Sequence, residues 1–197
     1  MLFLLSSLFP NFAPENYIVM RKLKVTELNR LSLEQFKKSE KIPLVIVLDD
    51  IRSMYNVGSV FRTADAFRIE RIILCGITAV PPMTEIHKTA LGAEDSVEWT
   101  YCKNAVEAVE QLNAENYITM AVEQVENSIK LHEWQPEQGQ HYALVLGNEV
   151  KGVQQAVVDA CNASLEIPQY GTKHSLNVSN TASIVMWEFV RHFMHTF

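Results

Sequence analysis

The chain has 197 residues, 48% of them hydrophobic, with seven Gly and seven Pro. That length holds one domain, or one domain with a small appendage, and the composition excludes a disordered chain. A formal charge of −6 excludes a uniformly basic nucleic-acid binder, but the charge is uneven: residues 20–42 carry seven Lys or Arg against three Glu, and residues 85–149 three Lys against twelve acids. A basic element on an acidic body can still contact phosphates, because that attraction depends on where charge sits.

In chain order, residues 1–19 open with MLFLLSSLF, apolar but without a basic n-region before it or a small-residue cleavage site after it. Pro10 and Pro14 interrupt the stretch far short of a membrane span. We expect an N-terminal extension, with Met20 as the functional start, and no membrane partner. Leu23, Leu28, Leu31 and Phe36, interleaved with Lys and Glu, predict one or two helical segments within 22–38. We therefore divide the chain into an extension (1–19), a basic helical segment (20–42) and a main domain (43–197).

The main domain begins with LVIVL at 44–48, the continuous apolar run of a buried parallel strand. It ends in Asp49-Asp50 and a polar stretch, followed by a predicted helix at 59–67 and a strand at 71–75. The alternation continues with strands at 97–101, 117–122, 142–146 and 165–167, and helices at 105–112, 153–160 and from 177 onward. Such alternation predicts an α/β fold, a mostly parallel sheet covered by helices on both faces. Three polar loops follow apolar strands: residues 49–62, 147–152 and 169–180. In open α/β sheets ligands bind at that carboxyl edge. The Ser, Thr and Asn side chains of 174–181 suit either a helix cap or a polar ligand. Residues 147–152 (GNEVKG) are neither a Walker loop nor a GxGxxG fingerprint, which removes support for phosphoryl transfer and ordinary NAD binding.

Cys75, Cys102 and Cys161 form no close-spaced pair, so we read reduced thiols and a cytoplasmic protein. No HExxH pattern occurs. His192 and His195 share a helix spacing but read as a solvated tail, so no metal is expected.

Three stretches, NVGSVFRTADAF (56–67), LGNEVKG (146–152) and IPQYGTKHSLNVSNTASI (167–184), resemble the ordered motifs of the SpoU (TrmH-like) RNA methyltransferases of the SPOUT superfamily; KTALGAEDSVEW (88–99) resembles the same family. The resemblance implies a C-terminal deep trefoil knot, S-adenosyl-L-methionine as methyl donor, a homodimer, and a tRNA or rRNA substrate methylated on a ribose 2′-hydroxyl. It carries catalytic roles onto Arg62, Asn56, Ser175, Asn177 and Glu149, and cofactor contacts onto Leu146, Gly147, Asn148, Gly152, Ile167 and Leu176. A guanidinium stays protonated in protein settings, so Arg62 is expected to bind phosphate and align the hydroxyl.

The sequence departs from the family pattern at Asn180 and Thr181, where small apolar residues commonly follow NVS. The short stretch before residue 43 leaves RNA to be gripped by the domain itself, the basic segment or a partner subunit. The rival readings are a base-methylating enzyme of the same fold, a non-catalytic knotted RNA-binding protein, and an ordinary α/β nucleotide-binding protein.

Overall fold

The structure, a computed structural model, describes residues 20–137 and 139–193. The described residues fall into two compact units, divided between Ser32 and Leu33. In the first, the described residues hold a short 3-10 turn, Val25–Glu27, and an exposed ion pair between Arg21 and Glu27 at 2.7 Å.

The second unit is built on seven described strands: β1 (Ile42–Asp49), β2 (Ile69–Cys75), β3 (Glu98–Cys102), β4 (Tyr117–Val122), β5 (Ile129–Lys130), β6 (His141–Leu146) and β7 (Ala163–Glu166). They form one sheet in the order β3-β2-β1-β6-β4-β7-β5, and every pairing is parallel. A parallel sheet puts all strand carboxyl ends on one edge, so the predicted loops are neighbours in space though far apart in sequence.

Helices α1 (Leu33–Lys38), α2 (Met54–Ala66), α3 (Thr84–Ala90), α4 (Ala93–Ser96), α5 (Ala105–Ala114), α6 (Gln155–Ala160) and α7 (Val178–Phe193) flank the sheet. Alternation along β1 assigns the two cores. Leu44, Ile46 and Leu48 pack with Val57, Phe61 and Ala64 of α2 and with Ala182, Val185, Met186 and Phe189 of α7. Val45 and Val47 face the other way, toward Ala105, Ala108, Val109 and Leu112 of α5 and Val157 of α6. Burial on both faces is why β1 reads as an unbroken apolar run and not as an alternating one. Each large side chain so buried contributes roughly 1.5–3 kcal/mol. Phe189 of α7 stacks on Trp134 with ring centroids 3.9 Å apart and meets Tyr142 of β6 edge-on, which holds α7 to the sheet.

The helix expected at 59–67 begins earlier, at Met54. Ser53 caps it, its side chain accepting from the Asn56 N–H at 3.3 Å. Asn56 therefore lies in the first helical turn, where its side chain has a fixed direction, and not in a loop. Helices α3 and α4 were not foreseen, and within 22–38 only α1 and the short turn are helical. The proposed extension at 1–19 and His195 lie outside the described residues.

Candidate functional site

Gly147 opens the second loop because no larger residue fits: a Cβ there would stand 2.2 Å from backbone atoms of Gly152 and Val153. Asn148 and Gly152 close the loop with paired backbone bonds, Gly152 N–H to Asn148 C=O at 2.8 Å and the return bond at 3.1 Å. The Asn148 side chain works in both directions. Its oxygen accepts from the Val150 and Lys151 N–H groups, and its amide donates to the Asp50 carbonyl at 2.7 Å.

That turn aims Glu149 across the sheet edge at the start of α2. Its carboxylate accepts from the Arg52 N–H (2.9 Å), the Ser53 N–H (3.0 Å) and the Asn56 side-chain amide (2.9 Å). A helix start presents unpaired N–H groups and partial positive charge, so an anion is stabilised there. Burial pulls the Glu149 carboxyl upward, but the Arg52, Asn56 and Ser53 donors outweigh it and hold the group below its ordinary value.

An ionised carboxylate only accepts. Asn56 must therefore turn its NH₂ to Glu149, which leaves its oxygen for the Asn177 amide at 3.2 Å. Asn177 in turn uses its own oxygen to cap α7, accepting from the Ser179 N–H (2.9 Å) and hydroxyl (2.6 Å). The line Glu149–Asn56–Asn177 joins all three sequence motifs through bonds of fixed direction.

Beside that line lies a cavity of about 700 Å³. Leu146, Gly147, Asn148, Gly152, Ile167 and Leu176 all line it, as do Glu149, Ser175 and Asn177. Asn56 sits behind this wall, bonded to two of its members. Arg62 does not line the cavity. It is exposed on α2, without a hydrogen-bond or ion-pair partner among the described residues. The arrangement thus offers a polar-rimmed pocket for a small molecule and, on the adjoining helix, a free cation.

Among the wall residues that sequence reasoning missed are Glu123 and Gln124, which follow β4. The Glu123 carboxylate accepts from the Val153 N–H at 3.0 Å, and the Gln124 amide donates to the His174 carbonyl at 2.8 Å. The positional rule that selected the other three loops would have found them, since they too follow an apolar strand at its carboxyl end. Among the described residues no group of three His, Cys, Asp or Glu is placed to hold a metal, and no helix is long and apolar enough to cross a membrane.

A doubly covered parallel sheet with its pocket at the carboxyl edge defines a ligand-binding α/β domain. Residues 43–187 match the SpoU rRNA Methylase family, and the chain belongs to that family. A protein of Staphylococcus saprophyticus assigned to the TrmH family of tRNA/rRNA methyltransferases is 30% identical over 157 residues, covering 80% of this chain and 62% of the relative. The chain thus spans under two thirds of the length of that curated relative. Among solved structures, the A. aeolicus TrmH/SpoU tRNA modifying enzyme superposes with a TM-score of 0.73 at 21% identity, covering 83% of this chain and 82% of the other. An AdoMet-bound rRNA methyltransferase from Sinorhizobium meliloti superposes with a TM-score of 0.71 at 25% identity, covering 83% and 61%.

Proposed function

We propose that this chain transfers a methyl group from S-adenosylmethionine to a ribose 2′-hydroxyl of tRNA or rRNA. The observation that carries the reading is the cavity bounded by the second and third motif loops and tied, through Glu149, Asn56 and Asn177, to the helix that bears Arg62. The family membership and the AdoMet-bound relative point to the same chemistry.

The cavity suits the cofactor. Its volume lies within the usual 300–1,000 Å³ of small-molecule sites. Leu146, Ile167, Leu176 and Val178 give it apolar surface for a purine, while the glycine-containing loop brings backbone polar groups within reach. The cofactor supplies a sulfonium-activated methyl group. Transfer would form the ribose O–C bond, break the methyl–sulfur bond to leave S-adenosylhomocysteine, and pass the hydroxyl proton to water.

The protein's part is placement. Gly147 lets the second loop approach the ligand closely, and Asn177 fixes the start of α7 against Asn56. Ser175, exposed on the cavity wall, offers a hydroxyl to the acceptor ribose. Arg62, always protonated, cannot serve as an ordinary base. It binds an RNA phosphate and aligns the 2′-hydroxyl, and much of the rate comes from that alignment.

This reading includes a homodimer in the cytoplasm and the C-terminal trefoil knot that the family resemblance implies. Support for the dimer is an apolar strip on α7, where Ile184 and Trp187 stay 40% and 48% exposed. Support for a reducing compartment is that Cys75, Cys102 and Cys161 are free thiols.

The test has two arms. Calorimetry with S-adenosylhomocysteine should show about one site per chain, and absence of binding by folded protein overturns the cofactor assignment. Mapping ribose methylation across cellular RNA, with and without the protein, should reveal a lost site. An unchanged ribose map alongside a lost base methylation overturns the acceptor assignment.

A further inference from the structure

Glu123 is the cavity carboxylate to which neither the sequence motifs nor the family resemblance gives a role. It is held in place by its surroundings. Its N–H donates to the Leu165 carbonyl at 3.0 Å, and its carbonyl accepts from the Ser164 hydroxyl at 3.1 Å. One carboxylate oxygen accepts from the Gln124 N–H at 2.8 Å, the other from the Val153 N–H at 3.0 Å. The second loop makes room for it: Gly152 has φ +68°, and a Cβ there would stand 2.2 Å from the nearer Glu123 oxygen. Both the end of β4 and the second loop are thus shaped around this one group.

Its chemistry is unfinished. An ionised carboxylate offers about four acceptor positions, and the protein fills one on each oxygen. No Lys or Arg pairs with it among the described residues, whereas the neighbouring cavity carboxylates are engaged, Glu149 by α2 and Glu166 by Ser128 and Lys130. A half-buried, fixed anion with one acceptor left on each oxygen selects a ligand presenting two adjacent donors.

We propose that Glu123 is the residue that reads the ribose of the cofactor, accepting from its vicinal 2′- and 3′-hydroxyls. The inference rests on the cofactor reading above and goes beyond it by assigning a specificity determinant. Two neighbouring hydroxyls match two neighbouring oxygens, each bond made to a charged acceptor. The apolar side chains Leu146, Ile167 and Leu176 are left for the purine, and the Gln124 bond to His174 keeps the third loop closed over the same end of the cavity.

Calorimetry on the full chain tests it, with S-adenosylhomocysteine and its 2′-deoxy and 3′-deoxy analogues as probes. The wild-type protein should lose about 10- to 100-fold in affinity for each deoxy analogue, the range expected for a hydrogen bond to a charged group. Glu123→Ala should bind S-adenosylhomocysteine about 10- to 100-fold more weakly and no longer distinguish it from the deoxy analogues. Glu123→Gln, which keeps the shape and one acceptor, should retain partial discrimination. Loss of discrimination is the decisive readout, because a purely structural role would weaken all three probes equally. Undiminished discrimination in folded Glu123→Ala overturns the proposal; if that variant does not fold, wild-type indifference to the deoxy analogues does so. A penalty that vanishes with 5′-methylthioadenosine, which keeps the ribose but lacks the amino-acid portion, also overturns it by assigning Glu123 to the ammonium group. Failure of the wild-type protein to bind S-adenosylhomocysteine at all is a different result, which overturns the cofactor reading itself.

Discussion

The two halves of the sheet end in the same way and are finished differently. At the carboxyl ends of β1, β2 and β3, the loops satisfy one another. The Thr78 hydroxyl donates to the Leu48 carbonyl and accepts from the Ile51 N–H, the Asp50 carboxylate takes the Ile77 N–H, and the Tyr101 hydroxyl reaches the Gly76 carbonyl. Asp49 is sealed beneath, its carboxyl pushed up by burial and by neighbouring Asp50. At the ends of β6, β4 and β7, the bonds lie at the bases of the loops and leave a cavity between them. Every parallel strand end exposes polar backbone. A site arises where the crossing loops brace each other without filling the space.

The largest expected effect lies on α2, the helix that follows β1 and is bonded through Asn56 to the cavity wall. Arg62→Ala should lower single-turnover methylation at saturating RNA by about 10²–10³-fold, the range seen when a donor acting on the transition state is removed. Affinity for S-adenosylhomocysteine should be unchanged, since Arg62 does not line the cavity. Arg62→Lys should rescue little, because an ammonium lacks the planar fork. Near-wild-type turnover for Arg62→Ala would remove the assignment.

Gly147→Ala forces a methyl group into the Gly152 backbone. We expect a stability loss of about 3 kcal/mol, at the upper end for overpacking, together with weakened S-adenosylhomocysteine binding. Thermal melts and calorimetry measure the two effects. Thr78→Val is the matching change on the closed half. It keeps the shape but leaves the buried Ile51 N–H unpaired, costing about 1–2 kcal/mol with ligand affinity unaltered. Equal loss of binding in both variants would erase the distinction between the halves.

The smallest expected effect concerns pH. Glu149 has its folded-state carboxyl pKa below the ordinary value of 4.5. Its ionised form therefore adds stability that is present above that value and lost as pH falls through the depressed one. Glu149→Gln should remove this part of the acid dependence, so melting curves of the two proteins should converge as pH falls below 4.5 and through the depressed value. Parallel curves throughout would show that the carboxylate contributes nothing through its charge.

The sequence disclosed what is local. The apolar run 44–48 marks β1, and the same reasoning places β2, β3, β4 and β6 to within a few residues. The Asn56, Glu149 and Asn177 motifs were recognisable, but not their mutual bonding, which depends on β1 and β6 being adjacent in the sheet. The start of α2 was misplaced because Ser53, Asn56 and Gly58 favour turns as readily as a first helical turn. Glu123 could be placed at the carboxyl edge by its position after β4, but its bonding partners could not be read. Its role exists only because β4 is flanked by β6 and β7, bringing Gly152 and Val153 against it. No pattern within residues 117–128 encodes that neighbourhood.

The chain of bonds from Glu149 through Asn56 to Asn177 has a thermodynamic consequence. Asn177 is both a wall of the cavity and the cap of α7, while Asn56 belongs to the helix that carries Arg62. A ligand that shifts Asn177 therefore acts on α2 through the Asn56 bond. Any such coupling is reciprocal: if filling the cavity tightens RNA binding by some factor, RNA must tighten binding in the cavity by the same factor. The order in which the two are added alters the route, and leaves the product of the two affinities unchanged.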